Sequence, residues 1–279
     1  MNVILCFVIF LLFGLRPFIY KPIAKKYPPA IAMITDGLAS LVVGIPMLIS
    51  SKETFVWHPI LLLCIISGAC LSYQVKFSQM VLKESTSAHQ YTLIIALGFG
   101  IIINKLYGEL VSTGQMITVI FIAIVAILFF IRIVNHLSNK AKLAWLVNLL
   151  FTIIVITMPT LLLNYTNWFS VFLMNGIVNF ATDVYEFSKC KSELKANNLK
   201  LSYGLVLVGL FHAFGELAFM YANPIIGVTT VLILKRATIP FVMVINNFII
   251  NKHEDKDADN IIFASLAGIL AIMYFLTSK

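Results

Sequence analysis

Two adjacent basic residues, Lys235 and Arg236, stand inside an apolar run that extends from about residue 225 to residue 249. A run of this length can cross a bilayer, which requires roughly 20 residues, and the two positive charges would then fall near the membrane midplane. A charge at that depth is costly and is rarely kept without a partner, a water-filled cavity or a ligand. The pair is therefore the first candidate for a binding site, and its chemistry suits an anion. Alternatively, carboxylates on neighbouring helices neutralise both side chains, which then only hold the bundle together.

A second polar group, His89, Gln90 and Tyr91, lies in an earlier apolar segment. Aligning the two halves of the chain places Gln90 against Lys235 and Tyr91 against Arg236, so this group is expected to form the facing wall of a midplane pocket. Cationic donors on one wall, with neutral donors and an aromatic ring on the other, suit an anionic head on a hydroxylated or cyclic body. Alternatively, Gln90 and Tyr91 only hydrogen-bond between helices, at small net gain.

Other ionisable residues also fall within apolar segments. Lys76, with Tyr73 one turn before it, is expected to form another cationic wall of the pocket. If it lies near the membrane interface instead, its long side chain reaches the headgroups and the residue is only an anchor. Asp36 in the second segment and Arg16 in the first are expected to form a pair between helices, because charges within membranes tend to pair with one another.

Acidic residues that could neutralise these cations or carry a proton come from two further segments. His212 and Glu216 stand four residues apart and therefore share one helix face. Glu216 is expected either to pair statically with one of the two cations near the midplane, or to take up a proton when that cation binds substrate. Asp183 is a candidate for the same role, although its position one turn before Glu186, just ahead of several lysines, favours a solvated helix end.

The chain has no recognisable motif for covalent or metal chemistry. His212 and Glu216 have the spacing of metal ligands, but without a third ligand in register we expect no metal. The four cysteines include no Cys-x-x-Cys pair. The sequence also lacks a phosphate-binding loop, a dinucleotide fingerprint and a nucleophile elbow. We therefore expect a protein without a cofactor that is not an enzyme.

Membrane helices must position these residues. Of the 279 residues, 60% are hydrophobic and only 11% are charged, and the mean hydropathy is +0.97. Soluble domains of ordinary composition do not approach these values. The net charge of +8 does not indicate nucleic-acid binding, because there is no basic patch with interleaved aromatic residues and most of the basic residues lie in short loops. Polytopic membrane insertion explains the composition.

Ten apolar segments can be placed, and each is long enough for a transmembrane helix. They lie at about 3–20, 29–49, 59–81, 86–104, 113–131, 145–163, 167–187, 201–221, 225–249 and 260–277. Sliding one half of the chain onto the other superposes Gly108-Glu109 on His253-Glu254 and brings the fifth and tenth segments into register. We therefore predict an all-α membrane protein of ten transmembrane helices in two five-helix repeats, 1–139 and 140–279. An odd number of crossings per repeat makes the two repeats inverted, as in many secondary transporters.

The chain resembles the drug/metabolite transporter superfamily, in particular its ten-helix EamA-like members, over essentially its whole length. The likeness is carried by Pro240 to Glu254 in the second half and by the region ending in Gly108-Glu109 in the first, each followed by a helix of small residues. Ile95 stands where the first half would need the counterpart of Pro240. The Lys235-Arg236 pair is similar to a basic pair in the ninth helix of the sugar-phosphate and nucleotide-sugar branch. That similarity implies that the pair binds a substrate phosphate.

Loop charges indicate the orientation of the chain. Most basic residues outside the apolar segments lie on the side reached after an odd number of crossings. The positive-inside rule makes that side the cytoplasm and puts both termini outside it. Because the chain is compact and shows no targeting extension, we expect a multi-pass protein of a bacterial inner membrane. We expect it to be in contact with lipid, to bind no nucleic acid, and to be a monomer or a homodimer.

The expected function is secondary-active transport of a small organic metabolite by alternating access around a midplane site, driven by a counter-substrate or by protons. The favoured substrate is a phosphorylated or carboxylated anion. The expected substrate-binding residues are Lys235, Arg236, Lys76, His89, Gln90, Tyr91 and Tyr73, with Glu216, His212 and Asp183 in proton coupling or ion pairing. Two alternatives stay open: an exporter of amino acids or organic amines whose cationic group is bound by Glu216, and a membrane assembly subunit that moves no substrate.

Overall fold

The computed structural model describes residues 2–50, 52–196, 203–245, 265–266 and 268–269. Within these residues the chain forms nine α-helices and one short 3-10 turn at Pro59–Leu62, and no strand. The helices are α1 (Asn2–Lys26), α2 (Pro29–Ser50), α3 (Leu63–Glu84), α4 (Thr86–Leu106), α5 (Thr113–Val134), α6 (Asn139–Leu163), α7 (Trp168–Ala196), α8 (Tyr203–Ile226) and α9 (Val228–Ile245). Each of the first nine predicted segments overlaps one helix, which confirms the all-α prediction. Glu254 and nearly all of the predicted tenth segment lie outside the described residues.

Seven of the described helices, α1 to α6 and α8, are long and apolar enough to cross a membrane. The other two are α7, which carries Asp183 and Glu186, and α9, which carries Lys235 and Arg236. Each of these two helices carries two of the charged residues that the sequence analysis selected. The fold is therefore that of an all-α protein whose helices suit a multi-pass membrane protein.

Serine caps define where several helices begin. Ser85, Ser112 and Ser138 each accept a hydrogen bond from a backbone N–H in the first turn of α4, α5 and α6, at 3.1, 3.2 and 3.2 Å. Such caps satisfy donors that the helix itself leaves unpaired. Ser112 belongs to a full capping box, since its own N–H donates to Gln115 Oε1 at 3.0 Å. The caps fix the residue at which each helix begins, and so the height of its side chains along the bundle.

The start of α9 is held by a residue from the first half of the chain. Gly227 has a φ of 84°, a conformation that favours glycine, and it lets α8 turn directly into α9. Glu109, in the loop after α4, accepts hydrogen bonds from the backbone N–H and the Oγ1 of Thr229, both at 2.6 Å. A carboxylate at a helix N-terminus is favourable. This cap fixes the position of Lys235 and Arg236 further along α9.

Polar pairs hold α3 between α6 and α7. Each pair joins a side chain of α3 to an amide or hydroxyl of a neighbouring helix, in a bundle whose other contacts are mostly apolar. The hydrogen bonds run from Ser67 to Asn175, from Ser72 to Asn179, from Gln74 to Thr152 and from Ser78 to Asn148. They determine which face of α3 looks toward the centre of the bundle.

Helices α2 and α8 pack closely against each other at Gly209. A Cβ atom at this position would lie 2.6 Å from the backbone oxygen of Thr35 and 3.1 Å from the Cβ of Ala39. Small residues at such crossings let two backbones come together. The close approach places His212 and Glu216, one and two turns further along α8, in the buried interior.

Replacing Gly209 with alanine is expected to destabilise the protein by about 1–3 kcal/mol, because the added methyl group forces α2 and α8 apart. Thermal unfolding of the detergent-purified protein measures the effect. Gly176→Ala is the matched control, since no atom lies within 4 Å of an ideal Cβ at Gly176 within α7. A melting temperature for Gly209→Ala equal to that of the wild type would show that the close crossing is not required.

Candidate functional site

Six helices, α1, α3, α4, α6, α8 and α9, enclose a cavity that gathers most of the predicted binding residues. Its unfilled space is about 820 Å³, including any part open to solvent. The polar residues that line it are Tyr20, Gln74, Ser78, His89, Gln90, Glu216, Lys235, Arg236 and Thr238. Five residues predicted from three separate segments thus lie around one space. We refer to it as the basic cavity.

An ion pair between α8 and α9 forms one wall of the basic cavity. Lys235 Nζ lies 2.7 Å from Glu216 Oε1, and both side chains are only 10% exposed. The Lys235 ammonium group also lies over two aromatic rings, 4.0 Å from the ring centroid of Phe13 and 4.9 Å from that of Phe219. Breaking a pair this buried leaves an uncompensated charge, so either partner can be released only when another ion replaces it.

Arg236 is a second basic side chain in the wall of the basic cavity. It is half-buried and lines the same space as Lys235. Among the described lining residues, Glu216 is the one carboxylate, and it faces two fixed cations. Because the surrounding helices are apolar, each of these charges acts more strongly on a neighbouring ion than it would in water.

Neutral donors stand on the opposite wall. Gln90 is 1% exposed, and its Nε2 group has no hydrogen-bond acceptor within the described part of the chain. A buried amide donor normally has a partner, and Gln90 lines the basic cavity, where a ligand or a water molecule would supply one. His89 lies beside it on α4, and Gln74 on α3 uses its Nε2 to bind Thr152 Oγ1 at 3.0 Å.

Three predicted binding residues lie elsewhere. Tyr91 is fully buried, with its ring 6.4 Å from that of Phe129, and does not line the basic cavity. Lys76 Nζ donates to Glu186 Oε2 at 2.6 Å, and Tyr73 Oη donates to Glu186 Oε1 at 3.2 Å. The structure therefore brings Lys76 and Tyr73 to α7 and not to the predicted pocket.

The expectation of a solvated helix end at Asp183 and Glu186 is wrong. Asp183 is 0% exposed and Glu186 only 5%, because α7 continues to Ala196, beyond the predicted end of its segment. Beyond the predicted span, Lys189 donates to Glu186 Oε1 at 3.0 Å, and this hydrogen bond raises the pKa of Lys189.

Asp36 and His212 form a buried pair next to the basic cavity. Asp36 Oδ2 lies 3.8 Å from His212 Nδ1 and accepts a hydrogen bond from Tyr20 Oη at 3.3 Å. Since Tyr20 also lines the basic cavity, the pair is one side chain away from the site. The predicted partner of Asp36, Arg16, has a side chain outside the described residues. No cluster of three His, Cys, Asp or Glu side chains suited to a metal ion occurs in the described ranges.

A second cavity lies on the other side of Glu216. It has about 510 Å³ of unfilled space, and Glu216 and Val155 line both cavities. Its other polar residues are Ser40, Ser67, Asn175 and Asn179. Along α3 the second cavity contacts Ser67 and Leu71 while the basic cavity contacts Gln74 and Ser78, a displacement of about 10 Å at the helical rise per residue. We refer to it as the amide cavity.

Several site residues were missed by sequence reasoning. Phe13 and Phe219 carry no signal of their own, because aromatic residues are frequent throughout the apolar segments of this chain. Tyr20 was also missed. Asn175 and Asn179 did carry a signal: two amides four residues apart share one face of a helix.

Comparisons with known proteins support the fold and give no function. No protein-family model matches the sequence, and no curated protein matches it. One solved crystal structure is similar over 99% of this chain and 98% of its own chain, with a TM-score of 0.61 and 12% sequence identity. At that identity the likeness concerns the fold alone: the helix arrangement described here also occurs in an experimentally determined protein.

Proposed function

We propose that this protein is a secondary transporter of a small organic anion, with a phosphate or carboxylate group bound in the basic cavity by Lys235 and Arg236. The observation that supports this most is the composition of the cavity wall, where two cations face one carboxylate and a buried amide donor of Gln90. A phosphate or carboxylate group would give these cations an anionic partner in the cavity. Gln90 and His89 are the groups that would bind the body of the substrate.

Anion binding couples naturally to the buried ion pair. The incoming group competes with the Glu216 carboxylate for Lys235, since both are oxygen anions that accept from the same ammonium group. Binding of the anion therefore weakens the contact between α8 and α9 at Glu216, the residue that lines both cavities. A substrate that alters this contact also alters access from either side, which is what alternating access requires.

The proposed architecture is that of the drug/metabolite transporters, with ten transmembrane helices in two inverted five-helix repeats. Support comes from the nine described helices, which match the first nine predicted segments one to one. The contact of Glu109 with Thr229 at the start of α9 joins the first predicted repeat to the second.

A ligand panel tests the anion proposal. The detergent-purified protein is heated with inorganic phosphate, sugar phosphates, dicarboxylates, amino acids or amines, because a ligand that binds the folded state at about 100 times its Kd adds about 2.7 kcal/mol of stability. Anions are expected to raise the melting temperature of the wild type. Lys235→Ala should abolish the effect, whereas Lys76→Ala, which removes a lysine that is paired outside the basic cavity, should preserve it.

Two results would contradict the anion proposal. The first is stabilisation by amines alone that survives Lys235→Ala, which would favour an amine exporter with its site at Glu216. The second is the lack of any stabilising ligand together with full cellular function of a Lys235→Met, Glu216→Gln double variant. That result would favour the assembly subunit.

Ten crossings make a distinct topological prediction. In a background without the four native cysteines, a membrane-impermeant maleimide added to intact cells should label Asn164→Cys and Lys279→Cys. It should label Asn139→Cys only after permeabilisation, because consecutive spans alternate sides. If Lys279→Cys behaves like Asn139→Cys, the number of spans is odd and the two halves are not inverted copies.

A further inference from the structure

Three side chains surround the ammonium group of Lys235. Its Nζ lies 4.0 Å from the ring centroid of Phe13, 4.9 Å from that of Phe219 and 2.7 Å from Glu216 Oε1. Aromatic faces combined with a carboxylate are an arrangement that proteins use to bind ammonium ligands. We refer to Phe13, Phe219 and Glu216 as the ammonium cage.

The walls of the ammonium cage belong to helices other than that of Lys235. Glu216 and Phe219 are three residues apart on α8 and so lie on one helix face, while Phe13 comes from α1. Gly215 provides the room for the Phe13 ring, since a Cβ there would lie 3.0 Å from it. The cage therefore stays in place when the Lys235 side chain, which enters it from α9, moves away.

Charge balance requires the ammonium cage to be refilled. When an anion draws Lys235 toward the basic cavity, the buried Glu216 carboxylate loses the ammonium group that lies 2.7 Å from it, which is costly. Either a proton or another cation can compensate. The two ring faces stabilise an ammonium group directly but contribute nothing to a proton on the carboxylate, so the geometry favours an organic cation.

The position of the ammonium cage makes it reachable from both cavities. Phe13 lines the basic cavity, Phe219 lines the amide cavity, and Glu216 lines both. A cation in the cage would therefore sit at the partition between them.

We propose that the ammonium cage is a binding site for an organic ammonium group, which Lys235 occupies until an anion draws its side chain away. The inference rests on the proposed function and extends its substrate class. Lys235 and Arg236 hold the anionic group while the cage holds a cationic one. The ammonium group belongs either to the same zwitterionic molecule or to a separate cation bound together with the anion.

The test uses ethylammonium, which reproduces the end of the lysine side chain, and inorganic phosphate as the anion. Binding to the purified full-length protein is measured by calorimetry. In the wild type, saturating phosphate is expected to tighten ethylammonium binding about tenfold, a typical size for coupling between sites. Lys235→Met empties the cage and should bind ethylammonium without phosphate about tenfold more tightly than the wild type does.

Matched variants separate the ammonium cage from a general effect of charge. Lys76→Met removes a lysine from an equally short ion pair outside both cavities and should gain no affinity for ethylammonium. Adding Phe219→Leu to Lys235→Met should cancel the gain. If Lys235→Met does not fold, the single variant Phe219→Leu tests the ammonium cage. This variant should lose the phosphate-dependent binding of ethylammonium and should still bind phosphate.

The results also show whether the ammonium group belongs to the same molecule as the anion. They separate a failure of the ammonium cage from a failure of the proposed anion transport. Tighter binding of 2-aminoethyl phosphate than of ethylammonium and phosphate together indicates one zwitterionic ligand, and equal binding indicates a separate cation. Suppose that the wild type binds phosphate but Lys235→Met binds ethylammonium no more tightly than the wild type does, or Phe219→Leu binds ethylammonium as the wild type does. Either result overturns the ammonium cage and leaves the proposed anion site intact. If no anion of the ligand panel binds the wild type, the proposed function itself fails.

Discussion

The ion pair between Lys235 and Glu216 joins two helices at the point where two cavities meet. Its two charges lie in a low-dielectric interior, where the cost of desolvation offsets much of their attraction, yet the loss of one partner costs about 3–5 kcal/mol. Such a pair adds little to the free energy of unfolding, but it restricts the charge of any group that takes the place of either partner. Only an anion can take the place of Glu216, and only a cation that of Lys235. That constraint is the basis of the proposal that this pair takes part in binding a charged substrate.

Other parts of the fold keep this pair in position. Gly209 allows α8 to pack closely on α2, and Glu109 fixes the start of α9 through Thr229. The serine–asparagine pairs hold α3 against α7, so that Gln74 and Ser78 face the basic cavity. None of these contacts touches the proposed substrate, but each determines the distance or the rotation of a helix that does.

Much of this arrangement follows from the sequence, because a bilayer imposes strong rules on it. The length of apolar runs located nine helices, and the cost of buried charge selected Lys235, Arg236 and Glu216 before any contact was known. Gln90 was reached through the internal repeat. These inferences need only the depth of a residue along the membrane normal.

The inferences that failed needed the rotation and the ends of helices, which single segments do not determine. Lys76 and Tyr73 lie at a suitable depth but face α7, where Glu186 binds them. Glu186 and Asp183 are buried because α7 extends past its apolar stretch. Phe13 and Phe219 became visible only through the packing of α1 on α8. A periodic pattern places a side chain on a helix face but does not reveal which helix that face meets.

Native mass spectrometry of the purified protein tests the central claim most directly. In Glu216→Gln the competitor for Lys235 loses its charge, so an anionic metabolite from the cell should remain bound through purification and be identified by its mass. It should be absent when Lys235→Met is added to the same variant. Recovery of the same bound molecule from both variants, or of a cation that carries no anionic group, would contradict an anion site at Lys235.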